Sequence, residues 1–259
     1  MRIARFATSD SEPSFGVVHG DPGAEEVFAI KGDPFYQQLV PTGVRHPLED
    51  VRLLAPIIPR SKVVGVGRNY ADHAAEMGNE LPPSPLLFFK PNTAVIGPTD
   101  PVLMPEFSEE ISYEAELAVV IGKICKDVTP DRVKDVIFGY TCGNDVTARD
   151  IQRTDSQWAR AKGFDTSCPL GPWIETDLEP DNLRITGSLD GDVVQDGSTS
   201  DMIFGVTDLV VHASQAFTLL PGDVILTGTP AGVGTVRENQ RFEVEIEGIG
   251  ALSNLFLRR

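Results

Sequence analysis

The chain has 259 residues, 41% hydrophobic and 23% charged, the profile of a folded globular protein long enough to bury a substantial core. Thirty-eight acidic against 22 basic side chains leave a formal net charge of −16. That balance argues against nucleic acid and anionic membrane as partners, because phosphate binding needs clustered Lys and Arg; a small anionic substrate is still compatible, through a locally positive site or a metal.

In chain order, the first 60 residues read as short strands, Ile3 to Phe6, Phe15 to His19 and Glu26 to Ile30, separated by turn clusters such as Asp21-Pro22-Gly23. Arg52 to Ile58 reads as a connector, and a boundary is placed near residue 60. Val63 to Val66 and Leu86 to Phe89 are strand candidates, with a short helix over Asp72 to Met77 between them. Leu117 to Ile121 is a strand, Asp131 to Ile137 a helix started by Pro130, and Val146 to about Ala159 a helix capped by Asn144-Asp145. Asp208 to Leu219 is apolar at Leu209, Val210, Ala213, Ala216 and Phe217, close to a helical period. Val224 to Thr227, Phe242 to Ile246 and Ala251 to Leu257 complete the strands. The pattern is α+β and β-rich, without the regular βαβ alternation of a doubly wound sheet.

Cys125, Cys142 and Cys168 are few, odd in number and scattered, with no CxxC pair. Buried apolar thiols in a reducing compartment are expected, rather than a disulfide framework or zinc knot. No apolar run reaches the roughly 18 residues of a membrane helix, and the N-terminus lacks a signal-peptide core, so the cytoplasm is the expected location.

Five stretches carry chemistry. In Tyr113-Glu114-Ala115-Glu116-Leu117, strand alternation puts Glu114 and Glu116 on one face. Two carboxylates there either bracket a cation or form a solvated strand edge. Asp145, in Gly143-Asn144-Asp145, is either a helix N-cap or a third carboxylate of the same site. Three carboxylates without a His or Cys ligand favour Mg²⁺ or Mn²⁺, and Ca²⁺ accepts the same donors. Arg149 and Gln152 share one helical face. They are surface residues or, beside a metal, a grip on a substrate carboxylate and carbonyl. His73 and Glu76, spaced i, i+3, suit a carboxylate-oriented general base; the alternative is an exposed helix. The Lys162 to Pro172 segment and the Gly- and Thr-rich loop Pro221 to Gly234 complete the set. Gly65-Val66-Gly67 is no dinucleotide fingerprint, because Tyr70 replaces the third glycine.

In this order, and with Leu86-Leu87-Phe88-Phe89-Lys90-Pro91 and Met202-Ile203-Phe204, these stretches resemble the fumarylacetoacetate hydrolase superfamily from about residue 60 to the C-terminus. The nearest likeness is to its shorter members: acylpyruvate hydrolases, oxaloacetate decarboxylases, and the isomerase/decarboxylases of homoprotocatechuate breakdown. The resemblance implies a mixed β-sheet roll over residues 61–259, preceded by a small N-terminal β domain over 1–60, and usually a homodimer. It implies Mg²⁺ held by Glu114, Glu116 and Asp145, and a His73–Glu76 dyad on a lid. It further implies Lys162 near the metal, and Arg149, Gln152 and Thr229 on the substrate. A further upstream aspartate ligand of fumarylacetoacetate hydrolase has no clear counterpart here.

The implied reaction is cleavage of the C3–C4 bond of a small anionic 2-oxo acid through a metal-stabilised enolate, by acylpyruvate hydrolysis or oxaloacetate decarboxylation. The alternative is a 2-hydroxyhepta-2,4-diene-1,7-dioate isomerase or 5-oxopent-3-ene-1,2,5-tricarboxylate decarboxylase of aromatic catabolism. A metal-binding but inactive scaffold and a nucleotide-dependent oxidoreductase are disfavoured, the first by the joint presence of His73, Glu76 and Lys162, the second by the missing fingerprint.

Overall fold

The computed structural model describes residues 1–9, 11–76 and 80–258; at 73–75 only the backbone is described. Among them, a 12-stranded sheet forms the body. Along its main path the strands run Val40–Pro47, Glu26–Lys31, Ser14–His19, Arg2–Ala7, Cys168–Glu175, Ile137–Asn144, Ala115–Ile121, Val224–Leu226, Val63–Gly67 and Leu86–Lys90. The N-terminal strands therefore extend the same sheet, Arg2 and Ile3 pairing with Glu175 and Ile174. Five further strands, ordered Asp192–Ser198, Arg184–Leu189, Arg241–Ile246, Gly250–Arg258 and Val102–Met104, form a second sheet.

Ala115–Ile121 lies deep in the main sheet and is buried at every residue. Ala115, Leu117, Val119 and Ile121 enter one apolar cluster, while Ala118 and Val120 enter another. A strand covered on both faces reads as a continuous apolar run, as this one does. Glu114 and Glu116 continue the Ala118–Val120 face toward the strand's N-terminal end.

Several sequence expectations are corrected. Arg52–Leu54 is a strand paired with Arg5 to Ala7, rather than a connector. Val40–Pro47 was not foreseen, because it is an edge strand with almost every residue exposed and so has no apolar alternation. The segment after Pro130 is one 3₁₀ turn and a four-residue helix, Val133–Val136, and Ile137 already starts a strand. The single helix expected over 146–159 is instead two, Arg149–Thr154 and Ala159–Lys162, preceded by a two-residue strand, Thr147–Ala148, paired with Ile111–Ser112. The helix Val206–Ala216 buries Leu209, Val210 and Ala213 as expected, but Ala216 is exposed.

All three cysteines are free and buried. No helix among the described residues is long and apolar enough to cross a membrane.

Gly139 shows how tightly the central strands pack. A Cβ there falls 2.5 Å from the Glu175 carbonyl oxygen on the neighbouring strand. Because the obstacle is backbone, Gly139→Ala is expected to lower stability by about 1–3 kcal/mol, read as a lower midpoint in denaturant unfolding. An unchanged midpoint contradicts this packing.

Candidate metal centre and active site

Four sheet strands converge at one end. The start of Ala115–Ile121 lies beside the end of the antiparallel Ile137–Asn144, with Ala115 opposite Asn144. The same end receives the C-terminal ends of Val224–Leu226 and Val63–Gly67. This convergence brings Glu114, Glu116, Asp145, Gly67, Arg68 and the loop holding Thr229 together. Local bonds fix the register: the Glu114 N–H donates to Asn144 Oδ1 at 3.0 Å, and the Asp145 N–H donates to the Glu114 carbonyl at 3.0 Å. Asp145 is therefore no N-cap. The helix that follows begins after Ala148, without a side-chain cap.

Glu114, Glu116 and Asp145 are 4%, 1% and 1% exposed, and one carboxylate oxygen from each lies within 4.8 Å of the others. Three buried carboxylates at this distance repel one another, and cations surround them. Lys162 Nζ donates to Asp145 Oδ2 at 2.6 Å and to Glu114 Oε2 at 2.8 Å. Lys90 Nζ donates to Asp145 Oδ1 at 2.6 Å. Arg149 Nη2 donates to Glu114 Oε1, and its Nη1 to Gln152 Oε1 at 2.7 Å. Burial by itself lowers the affinity of Lys162 for its proton, but Asp145 and Glu114 outweigh it and raise the pKa above the ordinary value.

Glu116 is different. Its one hydrogen bond among the described residues is from the Gly228 N–H, at 2.8 Å. Burial, then repulsion from Asp145 and Glu114, push its pKa well above the usual carboxylate value; Lys162 and the Gly228 N–H oppose this only in part. Gly228 sits at φ 95°, where a Cβ would fall 2.8 Å from Asn69 Cβ, so glycine is what lets this N–H reach the carboxylate. An all-oxygen donor set with one under-compensated carboxylate at its centre fits a hard divalent cation, Mg²⁺, Mn²⁺ or Ca²⁺.

The cluster floors a cavity of about 310 Å³, lined also by Val66, Gly67, Arg68, Arg149, Gln152, Arg153, Trp158, Lys162 and Thr229. Phe88 stands edge-on to Trp158 with ring centroids 5.6 Å apart, and Lys162 Nζ lies 5.1 Å from the Phe88 ring centre. Of the residues expected at the site, Glu114, Glu116, Arg149, Gln152, Lys162 and Thr229 line this cavity, with Asp145 in the carboxylate cluster. Glu76 closes the helix Ala71–Glu76 and is itself exposed, and its carboxylate accepts the Gly232 N–H at 3.2 Å, beside the Thr229 loop. The His73 side chain lies outside the described residues.

Sequence reasoning did not single out Lys90, Gln195 or Arg68. Lys90 is fully buried, and its partner Asp145 is 55 residues away, so no local charge pattern announces it. Gln195, from the second sheet, accepts the Ala115 N–H at 2.9 Å and donates to Thr229 Oγ1 at 2.8 Å, tying the carboxylate strand to the loop.

The comparisons agree with this geometry. Residues 62–256 match the family model for the fumarylacetoacetate (FAA) hydrolase C-terminal domain, and residues 1–56 match a model described as Rv2993c-like, N-terminal. The mitochondrial oxaloacetate tautomerase fahd2 of Xenopus laevis is 42% identical, over 98% of this chain and 89% of that protein. The crystal structure of 5-carboxymethyl-2-hydroxymuconate delta-isomerase from Mycobacterium smegmatis superposes with a TM-score of 0.93 at 47% identity, covering all of both chains. A maleylpyruvate hydrolase from Sphingobium sp. SYK-6, solved with manganese(II) and pyruvate, superposes at 0.80 with 32% identity, over 100% of this chain and 99% of that one. The chain belongs to the fumarylacetoacetate hydrolase family of enzymes.

Glu116 gives a signed pH prediction. Its folded-state pKa is raised, so its cost to stability is absent below the unfolded carboxylate value near 4.3 and grows as pH rises through the folded value. In chelator-treated protein, Glu116→Gln is expected to raise the unfolding temperature at pH 8 by about 2–4 °C, the shift that roughly 1 kcal/mol produces in a chain of this size. The difference should shrink toward pH 4. Added Mg²⁺ should stabilise the unsubstituted protein more than the variant. A variant less stable than the parent at pH 8 without metal contradicts the assignment.

Proposed function

We propose that this protein is a divalent-metal-dependent enzyme that converts a small anionic 2-oxo acid through its enolate, cleaving the C3–C4 bond of an acylpyruvate or of oxaloacetate. The observation that carries this reading is the convergence of Glu114, Glu116 and Asp145 with Lys162 and Arg149 on one cavity floor. Glu114, Glu116 and Asp145 would hold the cation, which when bound supplies Lewis-acid polarisation of a 2-oxo group.

The chain's own groups do the rest. The three carboxylates are matched by Lys90, Lys162 and Arg149, so metal loading leaves the floor electropositive and suited to an anion. Arg149, already oriented by Gln152 and Glu114, presents its remaining donors to the substrate carboxylate. The Lys162 ammonium, kept charged by two carboxylates, stabilises negative charge developing on substrate oxygen. The Thr229 hydroxyl accepts from Gln195 and is thereby left to donate its own proton toward the cavity. His73 with Glu76 takes a proton from the attacking water in acylpyruvate hydrolysis; oxaloacetate decarboxylation needs no such water.

A second reading has its own support: the Xenopus relative is named a tautomerase and the Mycobacterium smegmatis structure an isomerase. The same enolate, reprotonated at another atom, gives tautomerisation or double-bond migration.

The test is turnover of oxaloacetate and acetylpyruvate by chelator-stripped protein with and without Mg²⁺. Metal-dependent pyruvate release is expected, and Asp145→Asn should lower it by about 100-fold or more while unfolding stays cooperative. Undiminished turnover without metal would sink the proposal. His73→Ala should impair acetylpyruvate hydrolysis more than oxaloacetate decarboxylation, and equal losses would remove the water-activation role. Enolisation of oxaloacetate without pyruvate release selects the second reading.

A further inference from the structure

One cation in the cavity stands outside the charge pairing. Lys90, Lys162, Arg149 and Arg153 each contact a carboxylate. Arg68 lines the same cavity, and no hydrogen bond, ion pair or ring contact engages its guanidinium among the described residues.

Its backbone is also unusual. Arg68 has φ 57°, in the left-handed region that non-glycine residues rarely occupy. The turn is fixed on both sides. Gly67, the last residue of its strand, pairs with Leu86. Asn69 is 1% exposed; its Nδ2 donates to the Thr227 carbonyl at 2.8 Å and the Phe204 carbonyl at 3.0 Å, and its Oδ1 accepts the Phe204 N–H at 2.9 Å. Neighbours thus hold an unpartnered guanidinium in a strained conformation at the cavity wall, which is where stored strain marks a functional constraint. Glycine at 67 brings the Trp158 ring close to the same spot, with a Cβ there only 3.1 Å from the ring. That leaves a flat apolar wall beside the free charge.

We propose that Arg68 is a specificity-determining residue that binds the carboxylate remote from the 2-oxo group, so that the enzyme prefers 2-oxo dicarboxylates over neutral-tailed 2-oxo acids. Arg153 is a poorer anchor, because Glu110 already holds it. A guanidinium whose five donors have no partner among the described residues offers a bidentate carboxylate contact without breaking any of the pairs described. The inference rests on the cavity being a 2-oxo acid site.

The test is calorimetric binding of 2-oxoglutarate and its 5-methyl ester, two stable ligands differing only in the distal charge, to Mg²⁺-supplemented protein. The unsubstituted protein should prefer the diacid by about 10- to 100-fold, the range of a charge-assisted hydrogen-bonded contact. Arg68→Gln should abolish that preference, and Arg68→Lys should restore part of it. Arg68→Gly, which also relieves the left-handed backbone, should behave as Arg68→Gln does. The proposal is overturned by a preference that survives in Arg68→Gln, by equal weakening of acid and ester, or by no preference in the unsubstituted protein. Failure of the proposed reaction looks different: Arg68-dependent binding persists while neither oxaloacetate nor acetylpyruvate turns over.

Discussion

Mutual repulsion among three buried carboxylates is the constraint around which this end of the molecule is organised. Glu114, Glu116 and Asp145 sit within 4.8 Å of one another and are almost fully removed from water. Ionised carboxylates in such a place need compensating charge, because solvent no longer screens them. Lys162 bridges Asp145 and Glu114, Lys90 takes the other oxygen of Asp145, and Arg149 takes the other oxygen of Glu114. Among the described residues Glu116 alone is left with a single backbone donor, and that local deficit makes the cluster fit a divalent cation better than a closed salt-bridge network.

The sheet makes this arrangement affordable. Both faces of Ala115–Ile121 are covered by apolar clusters, so the strand bearing two carboxylates is fixed along its length before the charged end is reached. Antiparallel pairing with Ile137–Asn144 delivers Asp145 to the same end, and Asn144 and Asp145 lock onto the Glu114 backbone. The loop after Val224–Leu226 brings Gly228 and Thr229, and the second sheet adds Gln195 behind them. The candidate site residues, gathered from four strands and two short helices, thus sit on a scaffold whose register cannot slip without moving the Glu114 and Glu116 side chains to the opposite face.

Legibility in the sequence followed the range of the interactions. The strand Ala115–Ile121 and the helix Val206–Ala216 announced themselves, because their apolar patterns are local. Val40–Pro47 did not, because an exposed edge strand has no buried face to write into the sequence. The 146–159 segment misled, because Asn144-Asp145 carries the local signature of a cap while its side chains are committed to Glu114, Lys90 and Lys162. Glu114, Glu116, Arg149, Gln152, Lys162 and Thr229 were all named from motifs and all line one cavity. Lys90 and Gln195 escaped, since each acts on a partner far along the chain.

By itself the sequence determined the chemical types at the site and the β-rich architecture: oxygen-only ligands, a compensating lysine and arginine, and the order of motifs that places the chain in its family. Side-chain alternation along a strand already put two carboxylates on one face. The family resemblance already grouped Asp145 with them, and the tertiary structure decided that Lys90 is buried against it and that, among the described residues, no carboxylate pairs with Arg68 beside Trp158. The reason is that charge compensation is a property of distance in space. Groups 17, 48 and 55 residues apart in the chain meet within 3 Å here, and no local pattern encodes such a meeting.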